Sequence, residues 1–128
     1  MLKNDFFYIQ SLSDDHGLIS AVIEFNPSHK IFEGHFPGQP VVPGVCMMQA
    51  IKEIVETARG GSFFLQKADI VKFLSVIVPE KNDAIHAEIT YSSTEDDLLN
   101  FEARLFKKDV IYLKFKGKFE NEKTNLRI

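Results

Sequence analysis

The chain carries a single cysteine and no tryptophan in its 128 residues. One thiol excludes an internal disulfide framework and leaves no cysteine-based metal-ligand spacing, which makes a reducing compartment the natural assignment. Cys46 falls in an apolar stretch, where a thiol's pKa rises, so it reads as core filler rather than as a nucleophile. No apolar run approaches the roughly 18 residues of a membrane span. A basic flank leading into a short apolar stretch with a small-residue cleavage site is also missing. Neither export nor a membrane span is expected, and the expected location is the cytoplasm. The formal charge of −3 argues against a general nucleic-acid binder. There is no Pro/Gly/Ser-rich linker, internal repeat or low-complexity run, so residues 1–128 are read as a single domain. A chain of this length buries roughly two-thirds of its unfolded surface.

Against these absences, one stretch is dense with structure-setting residues. From Phe32 to Glu53 the chain reads FEGHFPGQPVVPGVCMMQAIKE, with Pro37, Pro40, Pro43, Gly38 and Gly44 close together. Proline fixes φ before folding, so such a loop holds a side chain in place at little entropic cost, which suits a site. A helix is expected next, with Pro43 in its first turn and Gly60-Gly61 as a left-handed cap after Arg59. Up to Ile51 this helix is apolar almost all round, which implies burial on nearly every side, with Gln49 as the polar exception. Gln49, Lys52, Glu53 and Glu56 share one face.

Strands are expected on both sides of the helix. Asp5 to Leu12 is a short candidate, followed by turn chemistry over residues 13–17. Ile19, Ala21, Ile23 and Phe25 then alternate with polar neighbours, the pattern of a half-buried strand. His29 reads as a solvated loop residue. Ser62 to Pro79 reads as one long strand, on its β-branched content, with a bend or bulge midway. Ile85, Ala87, Ile89 and Tyr91 form one face of the next strand, which leaves His86 outside. After an acidic turn at residues 94–97, Leu99, Phe101, Ala103 and Leu105 line another inner face. Leu113, Phe115, Gly117 and Phe119 do the same in the last strand, with Lys114, Lys116 and Lys118 pointing out; the tail is expected to fray. Twelve phenylalanines suggest a thick aromatic core. The sum is α+β: an antiparallel sheet wrapped around one long central helix.

The run GHFPGxPxxPGV followed by a helix resembles the signature of the β-hydroxyacyl-acyl-carrier-protein dehydratases of the FabZ and FabA type. Looser similarity continues through Asp69-Ile70-Val71-Lys72-Phe73 and Val76-Ile77-Val78-Pro79. The resemblance implies the hot-dog fold and a homodimer, assembled further by twos or threes in some cases, with sites shared between subunits. It places the family's catalytic histidine on His35 and the glycine whose N–H receives the thioester carbonyl on Gly44. The family's helix acid falls on Gln49. Where the family has Glu-Ala-Met-Ala-Gln, this chain has Gln49-Ala50-Ile51-Lys52-Glu53, so acid and amide have exchanged places one helical turn apart.

Dehydrating a 3-hydroxyacyl thioester requires a base for the α-proton, a donor for the enolate-like oxygen and an acid for the departing hydroxyl. A neutral imidazole at His35 suits the first task and the Gly44 N–H at a helix N-terminus suits the second. An amide at Gln49 can orient a hydroxyl but does not titrate near neutral pH. Glu53 is the alternative acid. The expected function is dehydration of 3-hydroxyacyl thioesters on acyl carrier protein or coenzyme A, in fatty-acid or related acyl-chain (polyene-type) biosynthesis, with neither metal nor organic cofactor. Thioester hydrolysis on the same fold, or a non-catalytic acyl-binding subunit of a dehydratase complex, are the alternatives. The outward lysines 114, 116 and 118 either receive an acidic carrier protein or guard the strand against edge pairing.

Overall fold

The computed structural model of the chain describes residues 1–34, 38–94 and 97–122. Glu95 and Asp96 of the expected acidic turn, and the tail beyond Glu122, lie outside these residues. In chain order the elements are β1 (Phe7–Asp15), β2 (Leu18–Phe25), α1 (Ile31–Gly34), α2 (Gly44–Arg59), β3 (Phe63–Phe73), β4 (Ile85–Ser93), β5 (Leu98–Lys107) and β6 (Val110–Asn121).

Burial follows the period of two that the sequence carries. Ile19, Ala21, Ile23 and Phe25 of β2, Ile85, Ala87 and Ile89 of β4, and Leu99, Phe101, Ala103 and Leu105 of β5 are all buried. On β6 the inward residues are Leu113, Phe115, Gly117 and Phe119, while Lys114 and Lys116 are exposed. Phe101 stacks on Phe119 with ring centres 4.1 Å apart and meets Phe115 edge-on at 4.8 Å, the aromatic core that the phenylalanine content suggested.

The strands join antiparallel in the order β1-β2-β4-β5-β6-β3. Helix α2 touches β1 and β3, which lie at opposite ends of that order, as well as β2 and β4. Contact with both ends of one sheet requires the sheet to curl around the helix, and this is the hot-dog arrangement. Ala50, Ile51, Ile54 and Val55 are completely buried in the wrap. At the far end of α2, Arg59 lies over the Tyr91 ring and donates to its hydroxyl, which in turn donates to Asp14, tying helix, β4 and β1 together.

Three expectations are corrected. The first turn shrinks to His16-Gly17, with φ of 49° and 88°, the paired positive angles of a two-residue hairpin; Ser13 to Asp15 therefore stay in the β1 ladder. The third strand stops at Phe73, and Val76 to Pro79 is irregular, although Val42 N–H still bonds the Ile77 carbonyl at 2.8 Å. Burial of α2 is also less complete than its composition implies, for Val45 is 73% exposed. Apolar residues facing every direction do not distinguish a core from a surface awaiting a partner.

The bend or bulge expected in that strand is present as two irregularities in the β3–β6 register, at Leu65/Lys67 and at Ala68/Ile70. They push the Lys67 carbonyl onto Gly117, where an added Cβ would lie 2.0 Å from that oxygen. The clash is with backbone, which cannot rotate away. Gly117→Ala should therefore cost about 1–3 kcal/mol, read as a lowered urea midpoint with an unchanged m-value, whereas Gly34→Ala, where a Cβ meets open space, should not.

Candidate functional site

The N-terminus of α2 is built by the proline loop. Pro43 is the N-cap, with φ −60° and ψ 144°, one position earlier than a first-turn proline. It has no side-chain donor or acceptor to cap the helix, and its carbonyl receives the first helical bonds, from Cys46 at 3.0 Å and Met47 at 3.2 Å. The N–H groups of Gly44 and Val45 thus precede the helical ladder, at the positive end of the dipole.

Beside them lies an apolar groove of about 590 Å³, lined by Gly44, Val45, Met48, Phe73, Leu74 and Val76 among others. The Phe73 ring lies directly against Gly44: an added Cβ would be 2.6 Å from Cζ. Nothing in the sequence signals this contact, because it joins positions separated by the whole of α2 and β3. A second depression, of about 550 Å³, lies on the outer sheet face among charged residues such as Lys72, Arg104, Lys114 and Glu102, away from the helix N-terminus.

His35 lies outside the described residues. Gln49 is half-buried on α2 and donates from Nε2 to Glu53 Oε2 at 2.8 Å. Glu53, one turn further on, is completely buried. Its carboxylate also accepts Leu2 N–H at 3.0 and 2.9 Å and Lys3 N–H at 2.8 Å. The Lys3 ammonium donates to Thr57 Oγ1 at 3.1 Å, so the N-terminal segment is fastened along the helix at two points. Charged acceptors with several donors form the stronger class of hydrogen bond, and they offset the cost of burying a charge. Burial pushes the Glu53 pKa up, but the bonds from Leu2 N–H, the Gln49 amide and Lys3 N–H outweigh it and hold the carboxyl below its ordinary value. The carboxylate is thus ionised and occupied. The two backbone donors were not foreseeable from sequence, since every residue but proline has an N–H.

The other histidines and the cysteine have structural surroundings. His29 is not the solvated residue expected: its side chain is 13% exposed, meets Phe6 edge-on at 5.2 Å and accepts Ile31 N–H at Nδ1. Its Nε2 therefore carries the proton and donates to Asp5 at 3.2 Å. His86 is exposed and stacks on Phe106. Cys46 is buried and burial pushes its thiol pKa up, as a packing residue requires. Among the described residues no cluster of three or more His, Cys, Asp or Glu is placed to hold a metal, and no helix is long and apolar enough to cross a membrane.

The Glu53 clamp has a pH signature. A carboxyl whose folded pKa is lowered contributes stability that is fully present above its unfolded pKa, about 4.3, and is lost as pH falls through the folded value. Between pH about 5 and about 3, wild-type stability should therefore fall more steeply than that of Glu53→Gln. Parallel urea denaturation of both proteins across that range checks this, and equal slopes would show that the carboxylate is not held in its charged form.

Comparison with known proteins places the chain. Residues 10–118 match the family model described as ApeI-like, ApeI dehydratase. The 3-hydroxyacyl-acyl-carrier-protein dehydratases FabZ of Klebsiella pneumoniae and Salmonella arizonae are each 27% identical over 92 residues, 65% of this chain. The alignment spans 60% of the length of those relatives. Among solved structures, the dehydratase heterocomplex ApeI:P from Xenorhabdus doucetiae superposes with a TM-score of 0.68 at 22% identity, over 88% of this chain and 96% of that one. The E. coli PaaI protein from the phenylacetic acid degradation operon gives 0.64 at 13% identity, over 90% and 78%. Both share the hot-dog fold. With its family model matched from the first strand to the last, the chain belongs to the ApeI-like dehydratases.

Proposed function

We propose that the chain eliminates water from 3-hydroxyacyl thioesters presented by acyl carrier protein, as an intracellular enzyme. The observation that carries this reading is the acyl-sized apolar groove opening at the Gly44 end of α2, where backbone N–H groups precede the helical ladder. The thioester carbonyl would accept the Gly44 N–H as negative charge develops on it. His35 would take the C2 proton; the C–H electrons form the C2=C3 bond and the C3–O bond breaks. The hydroxyl leaves as water with the proton that the imidazolium returns, which restores neutral His35. Gln49 would orient the hydroxyl by accepting a hydrogen bond from it at Oε1.

A second reading is favoured by the same pair of residues. Glu53 is occupied by three donors, counting both N-terminal N–H groups and the Gln49 amide, and the helix position that bears the acid in the resembling family bears an amide. Glu53 is thus a poor alternative acid. The chain could then be the acyl-binding partner of a second, active subunit; the Xenorhabdus neighbour is itself described as a heterocomplex.

Incubation with a 3-hydroxydecanoyl carrier-protein thioester, followed for enoyl product and free thiol, separates the readings. Enoyl product lost by roughly two to four powers of ten in His35→Ala would support the dehydratase, on the usual scale of general base catalysis. Restoring the acid by Gln49→Glu alone would set two carboxylates in contact, so that they share a proton and one titrates far above the usual range. The exchange Gln49→Glu with Glu53→Gln avoids this, because an amide at position 53 can accept the Leu2 and Lys3 N–H groups and donate to a carboxylate at position 49. The double variant should raise enoyl formation by about tenfold or more while keeping the wild-type urea midpoint. Free thiol instead of enoyl would mean hydrolysis, and retained acyl binding with no product in either protein would mean the binding subunit.

We also propose a homodimer. Val45, Phe73, Leu74, Val76 and Val78 are all about half exposed or more and lie at the end of β3, the following loop and the start of α2. Among the described residues β3 is an edge strand, with its outer side available to a second copy. Val45→Glu should leave the fold intact by circular dichroism but give a monomer by light scattering, and a wild-type monomer at micromolar concentration would sink the dimer.

A further inference from the structure

The Gln49–Glu53 pair contains more than a missing acid. An ionised carboxylate only accepts hydrogen bonds, so the Gln49 atom 2.8 Å from Glu53 Oε2 must be the nitrogen. The choice between the two ends of the amide, ordinarily ambiguous, is settled by the partner's chemistry. Glu53 cannot turn to relax this, because Leu2 and Lys3 N–H hold its other lone pairs and no solvent reaches it. Among the described residues the Gln49 side chain has no other hydrogen bond, so Oε1 keeps its acceptor capacity.

We infer that Glu53 is a positioning residue that locks the Gln49 amide in one orientation, presenting an acceptor rather than a donor to the substrate, and that the N-terminal segment completes the lock. This rests on the reading in which Gln49 meets the substrate hydroxyl. The consequence is selective. A 3-hydroxyl or a water can donate to Oε1, whereas a 3-keto group, which has no proton to donate, finds acceptor against acceptor. The site would therefore discriminate a 3-hydroxyacyl from a 3-ketoacyl thioester through an orientation that residues 2 and 3 hold from behind.

Glu53→Gln tests this without emptying the cavity. The neutral amide introduced at position 53 would take the Leu2 and Lys3 N–H groups on its oxygen and point its nitrogen at Gln49. Gln49 must then turn its oxygen to that nitrogen and present Nε2 outward. In wild type the Gln49 side-chain amide should give one proton resonance shifted downfield and slowed in exchange, as for a hydrogen bond to a carboxylate; in Glu53→Gln both should be lost. Binding of 3-hydroxydecanoyl and 3-ketodecanoyl N-acetylcysteamine thioesters, measured by calorimetry, should show the hydroxy over keto preference of the wild type fall by about tenfold or invert. Glu53→Ala provides the control: if it folds, its Gln49 resonances should become exchange-averaged, with the preference lost but not inverted. Unchanged Gln49 resonances in Glu53→Gln, or a hydroxy over keto ratio that does not move, would overturn the inference. Because resonances and binding ratios need no turnover, a protein inactive in dehydration but showing these shifts would lose the dehydratase reading and keep the lock.

Discussion

A carboxylate without solvent must have its lone pairs taken by donors, or it gives up its charge. Glu53 meets that requirement with donors from three places: its own helix through Gln49, and the backbone of Leu2 and of Lys3. Much of the local arrangement follows. The N-terminal segment is laid along α2, Phe6 and Phe7 enter the core from it with no exposed surface, and β1 begins in register with β2. The Gln49 amide, one turn earlier on α2, is aimed by the same carboxylate. One buried charge thus serves both the wrap and the candidate site.

The wrap has a boundary at which apolar surface is left over. A sheet whose two ends both reach one helix covers the middle of α2 well, where Ala50, Ile51, Ile54 and Val55 lie. At the helix start the cover stops: β3 ends at Phe73, and the loop beyond contributes exposed apolar side chains beside Val45. Among the described residues the groove at Gly44 lies between the start of α2 and the segment Phe73 to Val76, with Val45 and Val76 largely exposed. The same feature that makes a second copy a reasonable cover gives an acyl chain an apolar surface to lie on, so the dimer and the substrate reading depend on one piece of surface.

In the family the chain resembles, this helix position holds an acid and the position one turn later an amide. Here the pair is exchanged, and the amide donates to the carboxylate from the earlier position. An amide and a carboxylate four residues apart on a helix can satisfy each other in either order. On the proposed reading, what changes is which atom would meet the substrate: in one order a titratable oxygen, in the other a neutral carbonyl.

Much of the molecule was written in local patterns. Alternation over residues 19–25, 85–91, 99–105 and 113–119 assigned the inner faces of four strands correctly, because period two and one-sided burial are the same fact read twice. The apolar stretch after Pro43, closed by Gly60-Gly61, marked α2 to within a residue. The run GHFPGxPxxPGV ahead of a helix carried the resemblance to a dehydratase family, and the matched family model bears that resemblance out. Local pattern failed where residues distant in sequence decide. Val45 looked buried because composition does not say which apolar face a sheet reaches. Ser62 to Pro79 looked like one strand because β-branched residues do not reveal where pairing stops. That Phe73 covers Gly44, and that Glu53 is claimed by two backbone N–H groups some fifty residues away, belonged to tertiary structure alone. Side-chain type and period are properties of the chain, but a backbone donor is identical at nearly every position, and only folding determines which one meets a buried charge.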